Sequence, residues 1–384
     1  MHRLSASSPW IAGLAALALT VPARGIEGQA ATPTPTPAPA APAPAAPKPP
    51  AFAMVKVNDD VFFRVGFLLQ PQADFLQDLA TRGYAQNYFV RRVRLLLGGQ
   101  VAKNVTFFFE TDTPNLGKVV GGVKQGATMT VQDAFLEWKV NDAFTLGAGL
   151  FLVPLSRNTL QSAAALLTID YGSYSFLFSA PAGNVVGRDT GFHARGYFAK
   201  NHFEYRVGVF QGGRDTAGRQ APRFMARAMY NVFDVETGYF YVGTNLGKKK
   251  LLSIAGSFDA QKNYRAVAGD LFVDMPVPGG NAVTALANYI HYDGGLTFRT
   301  LPQQDTLHLE AGYYVGAAKV TPYGIFEVKE VADTDSGDEK RFGLGVSFFR
   351  NGHNFNVKAQ YLRIDPRVGN NQNQFTIQLQ GFYF

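Results

Sequence analysis

From Val61 onward, apolar and polar positions alternate with a period of two. Val61, Phe63, Val65, Phe67 and Leu69 share one face, and Phe62, Arg64, Gly66, Leu68 and Gln70 the other. Successive side chains of an extended strand point to opposite sides, so this stretch predicts a strand with one apolar face and one face able to meet water. The pattern recurs along the chain. Val93, Leu95 and Leu97 oppose Arg92, Arg94 and Gln100; Ala134, Leu136 and Trp138 oppose Asp133, Glu137 and Lys139; Phe342, Leu344, Val346 and Phe348 oppose Arg341, Gly343, Gly345 and Ser347. A soluble β-sandwich also alternates, but its signature rarely persists through so many aromatic-flanked strands. The series closes on Gln380-Gly381-Phe382-Tyr383-Phe384. A terminal aromatic strand after such a series predicts an all-β fold: a transmembrane antiparallel β-barrel of the bacterial outer membrane.

The links between strands give the orientation. Short ones, Val101 to Asn104, Asn141 to Ala143, Lys200 to Asn201 and Arg350 to His353, alternate with longer ones, Pro71 to Asn87, Thr113 to Ala127 and Pro154 to Asp189. Short turns belong at the periplasmic end and long loops outside. The count is about 16 strands if Asp234 to Lys249 is a long periplasmic connection, and about 18 if it adds a pair. Near the C-terminus, Gln378 and Gln380 share the face of Phe382, whereas Ile377, Leu379 and Tyr383 occupy the other. A bulge near Gly381 would reconcile the two registers.

Composition agrees with strands and turns. Of 384 residues, 17% are charged and 13% aromatic, with 40 glycines. After the N-terminus nothing approaches the roughly 20 consecutive apolar residues of a transmembrane helix. Residues 1–23 read as a signal peptide, with Arg3 as the positive start, an apolar core from Trp10 to Val21, and a small-residue cleavage site at Val21-Pro22-Ala23, with Gly28-Gln29-Ala30 as the alternative. Residues 24–59 read as a periplasmic spacer. Its Pro-, Ala- and Thr-rich part, Ala31 to Pro50, favours extended polyproline II over helix or sheet. Residues 60–384 form the barrel domain. The chain has no cysteine, which excludes disulfides, thiolate metal sites and a lipid-bearing cysteine.

Several stretches resemble the phosphate-selective porins O and P. They are Asn87-Tyr88-Phe89-Val90-Arg91-Arg92-Val93-Arg94-Leu95, Asp133 to Trp138 with Leu146 to Leu155, and Gly187 to Phe192 followed by Tyr205 to Gly212. Their order and spacing carry the resemblance over residues 60 to 384. It implies a 16-stranded, trimeric porin with a basic pore that accommodates phosphate. The third external loop, Pro154 to Asp189, should then fold inward as a constriction bearing Arg157, Asp170 and Arg188. It carries few bases, and its middle, Ala163 to Leu167, is apolar. A dedicated phosphate pathway needs closely spaced cationic donors, so the expectation is a mild preference for anions.

Alternation points Arg64, Arg92, Arg94, Arg195, Arg206, Arg223, Arg227, Arg341 and Lys358 into the lumen, together with Glu110, Asp133, Glu137, Glu204, Asp259, Asp270 and Glu310. The candidate anion-binding lining is Arg64, Arg92, Arg94, Arg195, Arg206, Arg227 and Arg341. A guanidinium stays charged and matches two oxygens of phosphate or carboxylate at once. The competing reading pairs these arginines with lumen carboxylates as wall stiffeners. Arg91 is expected on the outer face or girdle. No catalytic, metal or cofactor motif stands out, and no nucleic-acid partner is expected. Expected partners are small anionic solutes, outer-membrane lipid, other copies in a homotrimer, and the barrel-assembly machinery through Phe384. The alternative function is a barrel-borne adhesin or a membrane-embedded hydrolase.

Overall fold

The computed structural model describes residues 54–384, apart from Val185, Asp215, Thr216 and Gln220. The expected signal peptide, and the expected spacer up to residue 53, lie outside the described residues. The sheet is built from β1 (Phe62–Gln77), β2 (Tyr84–Ala102), β3 (Val105–Asp112), β4 (Thr130–Asn141), β5 (Phe144–Leu152), β6 (Arg188–Phe198), β7 (Phe203–Phe210) and β8 (Arg223–Asn231). It continues through β9 (Leu251–Gln261), β10 (Tyr264–Val277), β11 (Asn281–Asp293), β12 (Gln304–Tyr314), β13 (Val320–Val331), β14 (Glu339–His353), β15 (Phe355–Pro366) and β16 (Gln372–Tyr383). Each pairs antiparallel with the next, and β16 pairs with β1 from Gln374 opposite Leu76 to Tyr383 opposite Phe67. The result is a closed barrel of 16 strands. Closure removes the exposed edges that an open sheet would offer to other chains. A short strand, Met54–Lys56, lies against the start of β1.

Strand alternation turns this sheet inside out relative to a soluble protein. Phe67, Leu95, Trp138, Phe192 and Leu344 are exposed on the outside, while Arg94, Asp133, Arg206, Asp259 and Lys358 are buried within. Large apolar side chains presented all round a closed sheet need lipid as their solvent.

At one end the connections are 103–104, 142–143, 199–202, 278–280, 315–319 and residue 354, with 232–250 the long exception. The other end carries the longer loops 113–129, 153–187, 211–222 and 294–303. The first end is therefore periplasmic. The 232–250 segment adds no strand pair and instead enters the barrel, where Tyr241 forms a parallel bridge with Gln161 of the third external loop.

Two local expectations are corrected. The link expected from Pro71 to Asn87 shrinks to 78–83, because β1 continues past Pro71 through a register shift against β2 between Leu69 and Pro71. Such a bulge lets the ladder pass a residue that has no N–H to give. The bulge expected near Gly381 is absent, since β16 stays in one register with both β15 and β1 through Gly381. Phe382 and Phe384 thus share the inner face with Gln378 and Gln380. Their rings are received by apolar filling that includes Leu68, Leu96 and Phe108.

Candidate functional site

The inner wall is a lattice of cross-strand ion pairs. Arg94 on β2 bonds Glu110 and, at 3.0 Å, Asp112, both on the neighbouring β3. Arg195 on β6 clasps Glu137 at 2.6 and 2.8 Å. Arg227 on β8 clasps Asp270 at 2.7 and 2.9 Å, and Arg223 pairs with Asp259. Arg206 holds Glu204 and donates to the Tyr239 carbonyl at 2.8 Å. Arg188, the first residue of β6, pairs with Asp133 at 3.0 Å. Near the external mouth Arg341 bonds Glu339 at 2.6 Å and the Ser173 hydroxyl at 2.8 Å. Arg64, at the periplasmic mouth, has no carboxylate partner among the described residues and lies 5.0 Å from the Phe384 ring. Where the wall is shielded from water, a fork matched to two carboxylate oxygens neutralises charge that would otherwise be costly to bury.

The third external loop fills the space between these walls. Ser156 caps a one-turn helix, Arg157–Leu160, through a capping box with Thr159. Arg157 is fully buried and reaches Glu236 of the 232–250 segment at 2.6 Å. Its backbone N–H bonds Asp270, and its guanidinium lies 3.6 Å from the centre of the Phe272 ring. Asn158 then pins a finger, residues 161–171, at its base. The Asn158 Oδ1 accepts from the Gly172 N–H at 2.9 Å and the Ser175 hydroxyl at 2.8 Å, and the Tyr171 hydroxyl reaches back to the Gln161 carbonyl.

The finger has no regular secondary structure, so its buried carbonyls need outside donors. Six consecutive ones find them. Ala163 accepts from Gln70, Ala164 from Gln380, Ala165 from the Gly243 N–H, Leu167 from Ser347, and Leu166 and Thr168 both from the Lys358 ammonium at 2.7 Å. The apolar run Ala163 to Leu167 thus belongs to a backbone that must approach both the wall and the 232–250 segment. A side chain at Gly243 would place its Cβ 2.8 Å from the Ala165 carbonyl oxygen.

Asp170 closes the finger. Its carboxylate takes the Arg91 Nε at 2.7 Å and an Arg92 Nη at 2.6 Å. Burial pushes this carboxyl up, but the guanidinium groups of Arg91 and Arg92 outweigh burial and hold it below the ordinary carboxylate range. Arg91 was expected outside. The bulge sets Arg91 and Arg92 together opposite Gln70, so two consecutive arginines reach the same inner carboxylate. The Arg92 guanidinium also donates to the Gln70 amide oxygen at 2.8 Å.

Much of the inner wall is covered, although the Arg91 and Asp170 side chains stay 24% and 34% exposed. Each of the 16 strands carries an inward side chain no more than 8% exposed, including Gln70, Arg92, Tyr323, Ser347, Lys358 and Gln380 on the side that the finger reaches. Sequence reading missed three parts of this arrangement: the entry of 232–250, the Asn158 pin and the carbonyl-by-carbonyl docking. Tyr239-Phe240-Tyr241 was the available signal, because three aromatics in a supposed periplasmic turn ask for a buried place. His193 and His308 each bond a carboxylate, Glu137 and Glu327, at 2.9 Å. Among the described residues no group of three His, Cys, Asp or Glu is placed to hold a metal.

Residues 65–249 match the family model described as phosphate-selective porin O and P. No curated protein matches the chain. Among solved structures, OmpF of Salmonella typhi, in complex with daunomycin, superposes with a TM-score of 0.58 at 12% identity, covering 85% of this chain and 99% of that one. An anion-selective porin from Comamonas acidovorans gives 0.56 at 12% identity, with 84% and 99% covered. The trimer form of OmpT from Vibrio cholerae gives 0.52 at 12%, with 85% and 100% covered. Residues 65–249 are thus similar to the phosphate-selective porin O and P family, and the fold of the chain is the closed 16-stranded barrel of bacterial outer-membrane porins.

Proposed function

We propose that this protein is an outer-membrane channel for passive diffusion of small hydrophilic solutes, with a mild preference for anions such as phosphate, and that it carries out no bond chemistry. One observation supports the reading most: a closed sheet with an apolar outside and a charged, hydrogen-bonding inside separates lipid from a hydrophilic route.

The anion preference rests on the bases left over after pairing. Arg94, Arg195, Arg206 and Arg227 are matched by wall carboxylates, and Arg92 by Asp170. Arg64, Lys329 and Lys358 have no carboxylate partner among the described residues, and Arg341 shares Glu339 at the external mouth. Against them, Asp274 is held by Asn245 and Thr284, Glu310 and Glu327 share His308, and Arg94 and Arg223 each face two carboxylates. The preference therefore rests on where these bases lie, Arg64 at the periplasmic mouth and Arg341 with Lys329 towards the external one, since a positive potential at a mouth raises anion occupancy without excluding cations. Assembly as a homotrimer, by analogy with the trimer form of OmpT, and insertion by the assembly machinery through Phe384 complete the proposal.

The test is solute entry into liposomes carrying the refolded protein. Swelling with small neutral and anionic solutes, faster for anions of equal size, supports the reading. Liposomes that stay as tight as protein-free ones sink it.

A further inference from the structure

The finger 161–171 presents acceptors, one after another, to the basic part of the wall. Asp170 meets Arg91 and Arg92, while the Leu166 and Thr168 carbonyls share the Lys358 ammonium. Gln70, Gln380 and Ser347 complete the docking on β1, β16 and β14. Arg92 and Lys358 are 2% and 1% exposed, so the finger is what shields them from water and solute.

Chemically, a carboxylate flanked by outward-facing carbonyls stands in for an anion stripped of its hydration. Arg91 and Arg92 present to Asp170 the same donors that they would present to a free oxyanion. Lys358 faces carbonyls only, so nothing but the finger occupies its ammonium.

The finger is also built as a separable piece. Its base is fixed by Asn158 and by Arg157, which is tied to Glu236 and Asp270. Its far side is held by side-chain donors of the wall and by the backbone of 232–250 at Gly243. Its apolar anchors are few, the buried Leu166, Leu167 and Ile169 and the Tyr171 ring that packs on Phe176 and under the Arg92 guanidinium.

We propose that residues 161–171 are a tethered gate that occupies the cationic wall of Arg91, Arg92 and Lys358 in place of a solute anion. Conduction requires the finger to leave, and leaving uncovers those cations, so opening and anion preference are one event. The inference rests on the channel reading and adds to it which segment blocks the route and which residues the anion meets.

Two variants test it in planar bilayers under a potassium chloride gradient. Asp170→Asn removes the tethered counter-ion but keeps the side-chain shape. Its open probability should rise severalfold over the parent, and its reversal potential should move toward the chloride equilibrium value. The second variant pairs Ala164→Cys with Gln380→Cys in a chain that has no native cysteine. Joining the two thiols with a short reducible cross-linker should abolish current in the same membrane, and reductant should restore it. A cross-linked protein that conducts like its reduced form overturns the gate. So does an Asp170→Asn channel identical to the parent in open probability and reversal potential. If the folded parent, Asp170→Asn and the reduced double-cysteine variant all pass no current, the channel reading itself fails, an outcome distinct from either of these.

Discussion

Arg94 separates the two roles that a lumen arginine can have. It is 6% exposed and lies between Glu110 and Asp112, which are 5% and 2% exposed. In Arg94→Ala both carboxylates stay buried without their cation. Breaking a buried pair in this way costs about 3–5 kcal/mol, because the partner left behind keeps its desolvation penalty. At about 1.4 kcal/mol per tenfold, the ratio of folded to unfolded protein should fall by a hundredfold or more. Removing the charges together should cost far less. The triple variant Arg94→Met, Glu110→Gln, Asp112→Asn is expected to recover most of the loss, since a neutral set of similar volume has no uncompensated ion. The assay is urea unfolding from lipid vesicles, followed by the fluorescence of Trp138, which is exposed on the outer face of β4. A loss under about 1 kcal/mol for Arg94→Ala, or a triple variant as unstable as the single one, would refute the view of Arg94 as a neutralised wall element. A stable single variant with a shifted ion preference would instead assign Arg94 to solute contact.

Three further outcomes follow from the same geometry. Gly243→Val places a Cβ against the Ala165 carbonyl and the Leu167 N–H, both at 2.8 Å, so the finger and the 232–250 segment should separate and protease cleavage within 161–171 should speed up; an unchanged digestion pattern counts against their packing. Asp170 has a folded-state pKa below its unfolded value, so the docking it stabilises is fully present above about pH 4 and is lost as pH falls through the lower folded value. Open probability should therefore stay flat from pH 7 to about pH 4 and rise below it, and a rise beginning near pH 6 would point to a different group. Deleting Phe384 removes a ring that packs 5.7 Å from Phe108 and covers Gly66 and Gly98, and the yield of assembled barrel in cells should drop; equal yield would remove the recognition role proposed for this residue.

The barrel was legible because period-two alternation is a local property, and each strand states its own inside and outside. The inward set from Arg64 to Lys358 follows from that rule alone. The rule fails where one extra residue enters a strand, which is how Arg91 moved from the expected outer face to Asp170. It is silent on carbonyl acceptors, since Ala163 to Leu167 reads only as apolar and the donors it meets lie 93 to 216 residues away for Gln70 and Gln380. The 232–250 segment was legible as a long connection but not in its direction. What turns it inward is the Arg157–Glu236 pair and the backbone bridge at Tyr241, both made with a loop some 80 residues earlier. Phe384 shows the same limit. Its inward ring depends on apolar filling that only the folded third loop and the neighbouring strands create.

The central claim is that this barrel conducts. Single-channel recording of the refolded full chain in a planar bilayer, with unequal potassium chloride on the two sides, tests it most directly. Discrete current steps should appear, with a reversal potential modestly on the chloride side of zero. Folded, membrane-inserted protein that yields no steps at any voltage would contradict the channel, and steps reversing on the potassium side would contradict its anion preference.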